Sequence, residues 1–398
     1  MTIFLISRGY PSKRDPQWGS FEKDQAEALA QLGHKVIILS FDARFRPYWR
    51  PIGIRHFMHG DVASINIFLV PSAIISLLFG KRINQRFKAW QLDKVYRQAV
   101  KLYGKPDIIY SHYLTNTMFA VTLKLKYNIP LIGIEHWSEL GKTPIKPYII
   151  PIAKHTYDHV DQLISVSAAL QQSIKEQIGN DSIVVHNMVG KEFFYKSSTT
   201  PRPFTFVATG SLIHRKGFDL LPIAFNEIKH LLPNDWQMII IGSGEEYIAL
   251  QQQIEHAKLQ NHIHLVGQKN KKQIVQILQN SDVFILPSRG ENFSVAVLEA
   301  LACGLPVIAS ITGGIRECIN QQNGILFPVD DTHALADAIQ TMYNNRENYD
   351  HQLIANDCQA RFAPAVIAQQ LTDIFQHVIS QCSTSNIPYF SVYKQRTK

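Results

Sequence analysis

The chain has 398 residues, 45% apolar, 18% charged and 10% aromatic, which excludes a disordered or fibrous protein and exceeds what one hydrophobic core serves, so two domains are expected. A formal charge of +8 points to anionic partners: nucleic acid, acidic lipid headgroups or phosphorylated substrates. The four cysteines, Cys303, Cys318, Cys358 and Cys382, stand without Cys-x-x-Cys or His/Cys spacing, which argues against a disulfide framework or zinc site and fits a reducing cytoplasm.

The N-terminal "TIFLIS" reads as a strand followed by a polar loop, without the basic region and small-residue cleavage site of a signal peptide, so a cytoplasmic protein is expected. A helix from "FEKDQAEALAQLG" and a strand "HKVIILS" follow. The apolar run Val62–Gly80 is long enough to raise a membrane span, but Asn66, three serines and the central Pro71 weaken it. Its alternation at Ile65, Ile67 and Leu69 fits a strand that Pro71 stops, with a helix from Ser72 to Phe79. Three readings stand: buried core, interfacial amphipathic element, or true span. The next stretch, Lys81 to Lys101, sets seven basic residues against the single acid Asp93 at helical spacing. It is either a solvated helix face or a cluster attracted to acidic lipid, giving a peripheral contact at the inner face of the membrane.

Beyond it "PDIIYSHY", "NTMFAVTLKLKYN", "PLIGIEHW", "VDQLISVSAALQQSIKEQI" and "SIVVHNM" continue the strand–helix alternation. Short apolar strands alternating with helices predict a parallel sheet covered on both faces. The pattern lapses at Ser197, Ser198, Thr199, Thr200, Pro201 and Pro203, a linker. It divides a first domain over 1–195 from a second over 204–365. Six further strands, "FTFVATG", "WQMIIIGSG", "HIHLVGQ", "DVFILPS", "LPVIAS" and "GILFPV", alternate with helices there. The fold class is α/β: two doubly wound, Rossmann-like parallel-sheet domains enclosing a cleft. Ligands of such sheets bind beyond the carboxyl ends of the strands, which places chemistry in Gly242–Glu245 and Pro287–Ser294.

The second of these loops runs "PSRGENFSVAVLEALACGLPVIAS", with Glu291 and Glu299 eight positions apart. A helix beginning at Phe293 or Ser294 presents unpaired N–H groups and a partial positive charge, an anion site. Eight helical residues rise about 12 Å, so Glu291, at the phosphate end, and Glu299, two turns inside, are expected to reach opposite ends of an extended sugar-diphosphate-ribose, Glu299 at the ribose hydroxyls and Glu291 near the sugar. Cations for the diphosphate are offered by Arg215 and Lys216 in "TGSLIHRKGFDL". No Asp-x-Asp or His/Asp/Glu cluster suggests a metal, so these two side chains take the role Mg²⁺ often plays.

In that order "GSLIHRKG", "IGSGEE", the Glu291–Glu299 string, "TGGIRE" and "NGILFPVDD" resemble the carboxyl-terminal domain of retaining glycosyltransferases of family 4, with the GT-B fold. In the first half "GSFEKDQAEALAQLGHKVIIL", "IEHWS", "ISVSAAL" and "VVHNMV" resemble the amino-terminal, acceptor-side domain more loosely. The resemblance implies a metal-independent hexosyltransferase that needs no cofactor, uses a nucleotide diphosphate sugar and serves polysaccharide or glycolipid synthesis. Its other partner would be a saccharide or lipid-linked acceptor, with no nucleic acid. It implies that Lys216 grips the donor diphosphate, Glu291 lies near the donor sugar, Glu299 binds ribose, and Asn292, Phe293 and Ser294 supply phosphate-facing amides. His136, otherwise a satisfied structural histidine, matches one at the sugar end of the cleft. Gly19, otherwise an ordinary turn, matches the glycine that lets backbone approach the phosphate. The helix over 366–398 is implied to pack back on the first domain. One departure stands out: the family places arginine after the glycine matched by Gly210, and here it is Ser211. Arg215 either restores that charge or points to solvent. The rivals are a nucleotide-sugar epimerase or phosphorylase of the same fold and, from another class, a basic nucleic-acid- or membrane-binding protein. A nicotinamide oxidoreductase lacks its Gly-x-Gly-x-x-Gly turn.

Overall fold

The computed structural model describes residues 1–12, 15, 18–44, 52–69, 72–197, 201–232 and 234–384. Pro71 and the linker residues Ser198, Thr199 and Thr200 lie outside them. One sheet holds β1 (Thr2–Ser7), β2 (Lys35–Asp42), β3 (Gly53–His59), β4 (Val62–Phe68), β5 (Ile108–His112), β6 (Leu131–Glu135), β7 (Gln162–Ser165) and β8 (Ile183–Val184), in the order β3-β4-β2-β1-β5-β6-β7-β8. The other holds β9 (Thr205–Thr209), β10 (Gln237–Ile241), β11 (Ile263–Leu265), β12 (Val283–Leu286), β13 (Val307–Ser310) and β14 (Gly324–Phe327), in the order β11-β10-β9-β12-β13-β14 and parallel throughout. The helices are α1 (Ser20–Gln31), α2 (Ser72–Phe79), α3 (Lys81–Tyr103), α4 (Leu114–Tyr127), α5 (Ile150–Tyr157), α6 (Ala168–Ile178), α7 (Leu220–Ile228), α8 (Tyr247–His256), α9 (Lys271–Leu278), α10 (Val295–Ala302), α11 (Thr332–Asn344), α12 (His351–Phe362) and α13 (Pro364–Thr384). The chain forms two compact units: Met1–Glu135 and Tyr148–Ile164 with the segment from Ala368 onward, and His136–Pro147 with Ser165–Ile367.

In the first unit β4 explains the apolar run. Its residues Val62 to Ile67 are all buried, because it lies between β2 and the antiparallel β3. The polar groups that argued against a span are satisfied by neighbours: Ser40 Oγ donates to Asn66 Oδ1 at 2.6 Å, and His59 Nε2 sits 3.0 Å from Ser64 Oγ. No helix of the described residues is long and apolar enough to cross a membrane. The antiparallel β3 was not anticipated: "GIRHFMH" carries arginine and two histidines and lacks clean alternation, as befits a largely exposed edge. The long α3 buries Leu92, Val95, Tyr96 and Ala99, spaced along one stripe, against β-strand residues such as Phe4, Ile37 and Ile65.

In the second unit the core is built on Phe206, Phe225 and Trp236, with Phe225 stacked on Trp236 at 4.7 Å. Here β9 is the switch point: the chain proceeds to β10 on one side and later to β12 on the other. The loops leaving β9 and β12 therefore part over a crevice at the carboxyl edge, where doubly wound sheets bind ligands.

Candidate functional site

The two loops are pressed together by glycine. The single turn His214–Lys216 after β9 ends at Gly217, whose φ is +68°, and a Cβ there would stand 2.0 Å from the carbonyl oxygen of Pro287. Only a residue without a side chain permits this approach. The contact delivers Lys216 Nζ to 2.5 Å from Glu291 Oε1. Arg215 turns the same way: its Nη1 donates to the Gly290 carbonyl at 2.6 Å and lies 3.7 Å from Glu291 Oε2. Arg215 therefore faces the loop and not open solvent. Ser288 Oγ donates to Glu291 Oε1 at 2.8 Å, and Ser310 Oγ donates to the Ser288 carbonyl. The Glu291 side chain keeps only 8% of its exposure.

The helix after this loop starts later than a continuous run from Glu291 requires. Ser294, in extended conformation, is the N-cap and Val295 the first helical residue. Residues 291–294 are irregular, so Glu299 stands little more than one turn inside α10, and the helical rise estimated for the whole Glu291–Glu299 interval is corrected. The reason is packing. Asn292 Nδ2 donates to the carbonyl of His136 at 3.1 Å, the Asn292 carbonyl accepts from Gly314 N at 2.9 Å, and Asn187 Nδ2 donates to the Phe293 carbonyl at 3.3 Å. The Phe293 ring is buried against His186 at 4.6 Å and Phe362 at 5.7 Å. These contacts hold the strand-like loop off helical geometry. Among the described residues none accepts from the main-chain N–H of Asn292, Phe293 or Ser294. Glu299 is half-buried. Burial, and then the nearby Glu299 carboxylate, push the Cys303 thiol up to about 12.

His136, the residue after β6, joins this loop through its main chain. Gly141, a few residues on, lies so close that a Cβ would meet Asn292 Oδ1 at 2.1 Å. Gly19 belongs to the first unit: at φ +77° it caps α1, and a Cβ would stand 2.1 Å from the Gly9 carbonyl oxygen. The tight backbone approach fits the glycine. Among the described residues no group of three or more His, Cys, Asp and Glu is arranged to hold a metal ion.

Two supporting residues escaped the sequence reading. Arg289, the arginine of "PSRGEN", forks onto Asp219 at 2.8 and 2.7 Å, reaches Asp330 at 2.5 Å and donates to the His214 carbonyl at 2.6 Å. It ties the loops after β9, β12 and β14 together. Glu317, in "TGGIRE", accepts from the amides of Ala168 and Ala169 at 3.0 and 3.3 Å and pairs with His186 at 2.9 Å. Partners 41 to 149 positions apart in the chain leave no local spacing to read.

Burial would raise the Asp219 carboxyl, but the Arg289 fork more than reverses this and holds it below the ordinary value. A depressed carboxyl stabilises the fold above its unfolded pKa of about 3.9 and loses that contribution as pH falls through the folded value. Asp219→Asn is therefore expected to cost about 1–2 kcal/mol at neutral pH and to flatten the acid limb of stability. Melting temperature across pH 3–7 checks it; parallel curves for both proteins would show that the pair carries no acid-linked stability.

Two family models match consecutive parts of the chain: "Glycosyltransferase Family 4" over residues 23–193 and "Glycosyl transferases group 1" over residues 191–358. An uncharacterized glycosyltransferase of Methanocaldococcus jannaschii is 30% identical over 246 residues, 61% of this chain and 66% of that protein. The sucrose-phosphate synthase of Thermosynechococcus elongatus shares the fold with a TM-score of 0.77 at 19% identity, over 96% of this chain and 100% of that one. Anabaena HepE, solved in complex with UDP, shares it with a TM-score of 0.72 at 18% identity, over 94% and 99%. With both family models in register and each sheet switching direction as the fold requires, the chain belongs to the GT-B glycosyltransferases of the family 4 type.

Proposed function

We propose that the protein moves a hexosyl group from a nucleotide diphosphate sugar to an acceptor hydroxyl with retention at the anomeric carbon, without a metal ion, in the assembly of a cell-surface polysaccharide or glycolipid at the cytoplasmic side of the membrane. The observation that carries this reading is the convergence of Lys216 and Arg215 on Glu291 at the amino end of α10. In the structure the Glu291 carboxylate pairs with the Lys216 amine. An arriving diphosphate draws Lys216 and Arg215 to its oxygens, and Glu291 is released to accept hydrogen bonds from sugar hydroxyls. The free amides of Asn292, Phe293 and Ser294 and the helix dipole add to the anion site. His136 and Gly19 remain assigned to the sugar and phosphate by resemblance.

The step breaks the bond between the anomeric carbon and the diphosphate, forms one from the acceptor oxygen on the same face, and sends the acceptor's proton away with the leaving group. The charge developing on the diphosphate is what the cations stabilise. The likeness to a protein solved with UDP supports a nucleoside diphosphate as leaving group.

Two measurements test the reading. Nucleoside diphosphate should be released only when acceptor is present. Release with phosphate alone, or recovery of an epimerised donor, would instead establish a phosphorylase or epimerase. Glu299→Ala should weaken donor binding about 10- to 100-fold through lost hydrogen bonds to a charged group, with kcat little changed; isothermal titration with a panel of nucleotide sugars reads this. Unaltered affinity would remove Glu299 from the ribose.

A further inference from the structure

Soluble proteins seldom present neighbouring large apolar side chains to water without a use for them. In the first unit the last turn of α2 exposes Leu77, Leu78 and Phe79 by 86%, 66% and 59%. Asn84 Nδ2 donates to Ser76 Oγ at 2.7 Å and Gly80 N to the Ser76 carbonyl at 2.9 Å, which fixes α2 against the start of α3 with its apolar tip outward.

The outer face of α3 continues the surface. Ile83, Arg86, Trp90, Lys94, Arg97 and Lys101 follow one another at intervals of three or four, so they share one side of the helix. All six are exposed. Lys94 Nζ lies over the Trp90 ring at 5.8 Å. The single acid of this helix, Asp93, is buried and shared among Arg97, Lys126 and Tyr127, so it offsets the charge of Arg97 in part and leaves Arg86, Lys94 and Lys101 as the basic rail. An apolar tip, an indole at mid-length and a row of cations is the order a helix needs to lie on lipid: apolar groups among acyl chains, tryptophan at the boundary, and Lys and Arg among headgroups. A protein partner would be met by a closed apolar patch with a mixed polar rim, not by a unidirectional basic rail.

We propose that α2 and the outer face of α3 seat the protein on the surface of an anionic bilayer. This rests on the reading of the protein as a transferase whose acceptor is lipid-linked, and it extends that reading to the substrate. The inner sides of the same helices, through Ser76 of α2 and Asn84 and Lys88 of α3, help line a cavity of about 520 Å³ with Arg8, Trp18 and Asn116. The wall that faces lipid is thus also a wall of a chamber lined by Arg8, Arg44 and Lys88 beside one acid, Asp42, which pairs with Arg44 at 2.7 Å. The acceptor class it fits is an amphiphile with an anionic or polyhydroxy head and an apolar tail left in the membrane.

The test uses the full chain with vesicles of phosphatidylcholine, with and without phosphatidylglycerol, in flotation at low and high salt. Wild type should float with the acidic vesicles at low salt and be released by high salt or by neutral vesicles. The triple change Leu77→Ser, Leu78→Ser, Phe79→Ser should lower recovery at least tenfold. Arg86→Gln and Lys94→Gln should weaken vesicle affinity by about fivefold each. All these side chains are exposed, so melting temperature and nucleotide-sugar binding should stay at wild-type values in every variant. Wild type that stays in solution overturns the proposal. So does recovery that the leucine and phenylalanine changes leave intact, or equal recovery with neutral lipid. A leucine-dependent dimer in sedimentation, with no flotation, overturns it in favour of a second copy of this chain. Vesicle binding without any nucleotide-sugar binding would keep the membrane surface and remove the transferase reading, so the two can fail separately.

Discussion

Lys216→Ala should lower kcat about 10²–10³-fold, equivalent to about 3–4 kcal/mol, while donor affinity falls far less. The argument is differential. Lys216 is neutralised by Glu291 at 2.5 Å and its side chain is only 13% exposed, so exchanging one anionic partner for the ground-state diphosphate gains little. When the glycosyl bond breaks, charge accumulates on the departing oxygen, and the ammonium is then worth more than it was to the substrate. Arg215→Ala should cost less, because its side chain is 36% exposed and is partly spent on the Gly290 carbonyl. Steady-state kinetics with the donor varied at saturating acceptor separates the two parameters. A kcat within a factor of three of wild type would end the assignment of Lys216 to the leaving group.

Gly313→Ala should reach the same loop from behind. Gly313 stands at φ +49°, and a Cβ would fall 1.6 Å from the carbonyl oxygen of Glu291. The left-handed conformation alone costs a non-glycine residue about 1–2 kcal/mol, and relief of the collision must displace the Glu291 backbone. A total loss of about 2–4 kcal/mol of stability is expected, with donor affinity falling about tenfold or more because Glu291 and the amides after it move together. Gly267→Ala is the control: at φ +70° with nothing within 4 Å, it bears the conformational cost only and should leave donor binding unchanged. Chemical denaturation and donor titration of both variants decide the point; equal effects of the two would mean that the Glu291 loop is not held by Gly313.

Most of the architecture was legible because it is written in local periodicity. The apolar runs "TIFLIS", "HKVIILS", "FTFVATG" and "DVFILPS" each became a central strand, since strands buried on both faces have no room for polar residues. The edge strand β3 was missed for the converse reason: with one side open to water, Arg55, His56 and His59 break the pattern. In the site, Lys216, Arg215 and Glu291 were identified from motif order, and the fold brings them to one another. What could not be read was the support. Arg289 meets Asp219 and Asp330, and Glu317 meets His186, across separations that only the tertiary fold closes. Helix onset was legible to within a residue, Ser294 being the N-cap of α10; what the sequence did not show is that residues 291–294 stay off helical geometry, with the Phe293 ring packed on His186 and Phe362.

The resting Lys216–Glu291 pair also bears on selectivity. With its cation already shielded, the pocket offers little to inorganic phosphate or to a nucleic-acid backbone, either of which brings negative charge but nothing to take over the carboxylate. A ligand that supplies an acidic group and a hydroxyl donor a short distance apart satisfies both halves at once. On the proposed reading the ion pair would work as a two-key lock, letting a protein of formal charge +8 pass over polyanions that bring no hydroxyl donor and respond to a glycosyl nucleotide.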